Sequence, residues 1–68
     1  MLERTIARHH ELVAEGERLW DTEPEPAYRR LYAAAILADL IAQETGDQAW
    51  TDTSETLKHR IARAHRRA

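Results

Sequence analysis

The chain has 68 residues (7.9 kDa), no Cys or Phe, two Gly, two Pro, two Trp and two Tyr, and twelve acids against ten Lys and Arg set its formal charge at −2. That length holds one small helical domain over 1–68, because so short a chain buries only about 60% of the surface it exposes when unfolded. Without Cys there is no disulfide framework or Cys-based zinc site; no apolar run nears the roughly 18 residues of a membrane span and no signal-peptide pattern opens the sequence, so a soluble, cytoplasmic globular protein is expected.

Apolar residues recur at the helical period. At about 100° per residue, Leu2, Thr5, Ile6, His9, Leu12, Val13, Gly16, Leu19 and Trp20 share one face. Glu3, Arg4, Arg8, Glu11, Glu15, Glu17 and Arg18 lie on the other, which predicts an amphipathic helix over 2–20. His9 is central on the apolar face. A zinc site would want a second ligand one turn on, where the chain has Val13. His10-Glu11 starts the His-Glu-x-x-His signature, but Ala14 breaks it. His9 therefore reads as a half-buried, satisfied histidine. Gly16 costs roughly 1 kcal/mol relative to Ala in mid-helix. It reads as a point of close approach for a neighbouring helix or for Trp50, with a hinge as the alternative.

The first joint is Asp21-Thr22-Glu23-Pro24-Glu25-Pro26. Each proline disfavours the helical region for the residue before it, while Pro26 itself suits a first helical turn. The second helix is predicted over 26–45, stopped by Gly46. Asp52 or Thr53 is predicted to cap a third helix over 53–66, whose narrow stripe of Leu57, Ile61 and Ala64 makes it the least stable element. No period-two pattern appears. The expected fold class is all-α, a small three-helix bundle with sequential neighbours antiparallel. Trp20 and Trp50 flank the joints and are expected at one end, stacked together or capping the core.

The middle helix is apolar around most of its circumference. Leu31, Ala34, Leu37, Ala38, Leu40 and Ile41 offer one broad side to the neighbouring helices. Tyr28, Arg29, Tyr32, Ala35, Ile36, Asp39, Ala42 and Gln43 lie opposite. Two flanking helices cannot cover both sides, and a helix apolar most of the way round is normally buried most of the way round. One reading has neighbouring side chains shading Tyr32 and Ile36. The other makes Tyr28, Tyr32, Ala35 and Ile36 a docking stripe, with Ala35 and Ala42 admitting a second helix closely. The protein-binding candidates are Tyr28, Arg29, Tyr32, Ile36, Asp39 and Gln43, and the partner is either another protein or a second copy of the chain.

Charge is segregated. All twelve acids and five arginines fall in residues 1–55, a balance of −7, while residues 56–68 hold five bases and no acid. Lys58, Arg60, Arg63, Arg66 and Arg67 are therefore candidate nucleic-acid contacts. Ala42-Gln43-Glu44-Thr45-Gly46 followed by a basic helix resembles the helix-turn-helix motif over residues 38–67, although a joint running to Asp52 exceeds the roughly three to four residues of that turn. Two intramolecular readings compete: cations complementing a helix C-terminus, or a basic third helix lying on the acidic first one. No nucleophile with an adjacent base and no Gly-rich phosphate loop can be assembled. No enzyme, cofactor or metal is expected. The expected function is association with protein, as a regulator, inhibitor or accessory subunit, with nucleic-acid binding as the alternative.

Overall fold

The computed structural model describes residues 2–67. Three helices account for nearly all of them: α1 (Leu2–Leu19), α2 (Pro24–Thr45) and α3 (Gln48–Arg67). No strand occurs among the described residues. The all-α three-helix bundle is as expected, but two helix starts differ.

Helix α2 begins at Pro24, two residues before its predicted start. The first four N–H groups of a helix have no intrahelical partner. Pro24 and Pro26 both fall in that turn, so neither removes a hydrogen bond. The first ladder bond is the Ala27 N–H to Glu23 O, at 3.1 Å. Glu25 stays helical although a proline follows it; the bias against that region is a preference, not a bar. Gly46 ends α2 as predicted, with φ 72° and its N–H donating to Ala42 O at 2.7 Å.

Helix α3 begins at Gln48, five residues before its predicted start. Its cap is Asp47, not Asp52 or Thr53. Asp47 Oδ1 accepts the Ala49 N–H at 3.0 Å, and Asp47 O accepts the Trp50 N–H at 3.1 Å. Asp52 sits one turn inside the helix, where it accepts from Gln48 Nε2 at 3.3 Å. The joint is thus only Gly46-Asp47.

Helix α2 lies between the other two, and no Cα of α1 comes within 8 Å of one of α3. Ala27, Leu31, Ala34, Ala35, Ala38 and Ile41 of α2 are fully buried. Leu12 of α1 and Leu57 of α3 complete the core, with Val13, Trp20, Leu37 and Ile61 packed around it. The short alanines let both neighbours approach the α2 backbone. At Gly16 α1 approaches α2 too closely for a side chain: a Cβ there would stand 2.6 Å from Leu31 Cγ and 3.2 Å from Ala27 O. The close approach expected at Gly16 is thus real, and its partner is α2, not Trp50.

The joints lie at opposite ends of an up-down-up bundle, so Trp20 and Trp50 do not meet. Trp20 packs edge-on against Tyr28 at 5.2 Å and carries the Arg60 guanidinium 4.2 Å above its ring. Trp50 instead meets His9 at 5.2 Å. His9 is buried, and its Nδ1–H donates to Ala34 O at 2.8 Å; a carbonyl only accepts, so this nitrogen carries the proton. One side chain thereby ties α1 to both α2 and α3.

Candidate protein-interaction site

Ridges facing α1 and α3 use up two sides of α2, and a third points to solvent. Tyr32 (54% exposed), Ile36 (40%) and Leu40 (48%) stand on it, and they are the large apolar side chains that remain exposed among the described residues. A spacing of four residues keeps them in one row. Arg29 and Gln43, both exposed, extend the row at either end. Beside Leu40 a cleft of about 570 Å³ opens between the start of α1 and the end of α2, lined by Leu2, Arg4, Thr5, Leu40, Ile41 and Glu44.

Four of the six predicted docking residues, Arg29, Tyr32, Ile36 and Gln43, therefore lie on this face. Tyr28 does not: its ring is held between Trp20 and His65, the latter at 4.7 Å. Asp39 does not either. It turns toward α3, where it accepts from Lys58 Nζ at 3.0 Å. Ala35, placed in the docking stripe, is fully buried, and the helix its small side chain admits is the chain's own α3. Leu40, expected on the core side, lies between the sides, and α1 does not reach over it.

The Asp39 carboxyl titrates below its ordinary value, chiefly because of the Ser54 hydroxyl and next because of Lys58. Ser54 Oγ is itself buried and makes no hydrogen bond of full geometry. Lys58 is raised above its ordinary value, first by its hydrogen bond to Asp39.

The basic helix is partly spent inside the molecule. Lys58 is paired with Asp39 and Arg60 lies over Trp20, leaving Arg63, Arg66 and Arg67 as exposed cations. Asp39–Lys58 near one end and Tyr28–His65 at the other show α2 and α3 side by side and antiparallel. A helix-turn-helix crosses its helices at about 90–120°, so the resemblance over 38–67 does not extend to the fold. Nor does α3 lie on acidic α1. Glu15 of α1 pairs instead with Arg30 of α2 at 3.4 Å.

A second groove, of about 330 Å³, runs between α1 and α3, lined by His9, His10, Val13, Asp52, Thr53, Thr56 and Leu57. Among the described residues no three His, Cys, Asp or Glu side chains converge as a metal site would need. No described helix is long and apolar enough to cross a membrane. A scan against protein-family models finds no match to the chain, and neither curated proteins nor solved structures give one.

Proposed function

We propose that this is a small, non-enzymatic helical protein that works by associating with protein, as a regulator, inhibitor or accessory subunit, through the outward face of α2. The observation that carries this reading is the alignment of Tyr32, Ile36 and Leu40, the exposed large apolar side chains, in one row on one helix. Scattered singly, exposed apolar residues mean nothing; gathered and rimmed by polar ones, they mark contact surfaces. Tyr adds area with a polar tip at little rotamer cost. The row has polar ends in Arg29 and Gln43, the usual form of an apolar centre within a polar rim.

The test places a photo-reactive benzoylphenylalanine at position 36, and a control at position 62 on the outer side of α3, in cells that make the protein. Adducts specific to position 36 are expected. Their partner, once purified, should bind the wild-type chain and lose at least about tenfold in affinity, a loss of roughly 1.4 kcal/mol, with Ile36→Glu. Equal labelling at both positions, or none at 36, refutes the reading.

The nucleic-acid reading has less support. Two of its five candidate cations are engaged within the chain, and the acids Glu11 and Glu17 stand exposed on α1.

A further inference from the structure

We infer that the outward face of α2 is built to receive a second copy of the same chain, its α2 antiparallel to the first about a two-fold axis at Ile36. The inference rests on the association reading above and supplies its partner. The row is nearly a palindrome: Tyr32 and Leu40 lie four residues before and after Ile36, and Arg29 and Gln43 seven before and after. A two-fold at Ile36 brings that residue against its own copy. Tyr32 then arrives level with Leu40 of the second copy, about 12 Å along the helix from its own Leu40 at 1.5 Å per residue. Arg29 arrives level with Gln43 and Glu44 of the second copy. Two-fold contacts of this kind require a self-complementary patch.

Charge agrees with shape. A cation stands at one end of the row and an acid, Glu44, at the other, so antiparallel pairing joins unlike charges twice, while parallel pairing sets Arg29 on Arg29 and Glu44 on Glu44. Glu25 falls outside the overlap. Tyr32 and Gln43 lie toward the same flank of the row. The symmetry axis crosses the helices and keeps that flank in common, so the Tyr32 hydroxyl comes within reach of Gln43 of the second copy. A protein partner of unrelated sequence would have no need of this spacing.

The experiment is sedimentation equilibrium of the full chain from low micromolar to near-millimolar concentration, with circular dichroism on every variant to verify its helix content. The wild type is expected to pass from 7.9 kDa to twice that mass. Ile36→Glu sets two carboxylates together on the axis and should stay at the single-chain mass. Arg29→Glu should weaken association by about tenfold or more through repulsion from Glu44, and Arg29→Glu with Glu44→Arg should restore it. A single-chain mass for the wild type at every concentration overturns the inference, as does a dimer indifferent to Ile36→Glu or a charge reversal that the second change fails to rescue. If the wild type is a single chain while position 36 still captures a different protein that binds when purified, only the second-copy inference falls. If neither association is seen, both readings fall.

Discussion

Replacing Gly16 by Ala puts a methyl group where α1 touches α2. In an open helix interior this change stabilises by about 0.5–1 kcal/mol, since Ala loses less backbone freedom. Here the new Cβ would stand 2.6 Å from Leu31 Cγ, 2.7 Å from Leu31 Cδ2 and 3.2 Å from Ala27 O. Leu31 is fully buried, so its branched end has nowhere to swing, and a backbone carbonyl cannot move alone. Overpacking of this kind costs about 1–3 kcal/mol, which exceeds the propensity gain. We expect a net loss of about 1–2 kcal/mol, which lowers the melting temperature of a chain this size by roughly 5–15 °C. Thermal and urea unfolding by circular dichroism measure it. The partner variant, Leu31→Ala, should cost about 2–5 kcal/mol alone and distinctly less when Gly16→Ala is already present. A Gly16→Ala protein that melts higher than wild type would show that α1 does not seat against α2 at this point.

Tyr32→Glu with Ile36→Glu should leave the helical spectrum intact and, at dilution, change stability by no more than about 1 kcal/mol, the sum of two ordinary surface substitutions; cooperative loss of helix would mean that the row is core. Asp39→Asn should destabilise at neutral pH. The lowered carboxyl contributes above its ordinary value of 3.8 and ceases to as pH falls through its folded value, so the melting-temperature gap to wild type should close in acid. Lys58 is raised, so its share holds below 10.5 and fades only as pH climbs past its folded value above that; a gap unchanged across the acid range would refute the Asp39 assignment. In gel shifts at low salt, duplex DNA and RNA should stay unbound. A salt-sensitive shift abolished by Arg63→Glu with Arg66→Glu would reverse the preference for a protein partner. His9→Ala removes a buried hydrogen bond and the edge contact to Trp50, and should cost about 2–4 kcal/mol in urea unfolding; a cost under about 1 kcal/mol would deny His9 its joining role.

Periodicity alone carried the three helices, because each buries a stripe and the stripe repeats with the turn. The ends were harder. Gly46-Asp47 is a left-handed stop followed at once by an N-cap, and both signals were in plain view. The mostly polar stretch from Asp47 to Thr53, apolar only at Ala49 and Trp50, hid them, because a first helical turn need not be apolar. The prolines misled in the opposite sense, reading as a break where they sit among N–H groups that have no partner anyway. On α2, a wheel with two sides left no place for a third. Ala35 and Asp39 face α3 and Leu40 faces water, since α1 and α3 lie on adjacent flanks and not across from each other. That arrangement depends on how closely Ala and Gly let helices approach, a tertiary property that composition does not order by face. Lys58 and Arg60 looked like free cations because their partners, Asp39 and Trp20, are 19 and 40 residues away in sequence.

The α1–α3 groove and the outward row of α2 are both surfaces a partner could cover, and burial energetics separates them. The groove between α1 and α3 is walled by His10, Asp52, Thr53 and Thr56 beside Val13 and Leu57. Covering it would strip water from several polar groups, each costing about 1–3 kcal/mol unless the newcomer supplies a matching hydrogen bond. The α2 row asks for no such match at its centre, because Tyr32, Ile36 and Leu40 hand over apolar surface worth about 25 cal/mol per Å² and keep their polar groups at the rim. The same alanines that bring α1 and α3 close leave the bundle little apolar area of its own to bury. Contact along α2 would therefore add burial to the helix on which both neighbours depend, and the face proposed to receive a partner is also the one through which a partner would stabilise the fold.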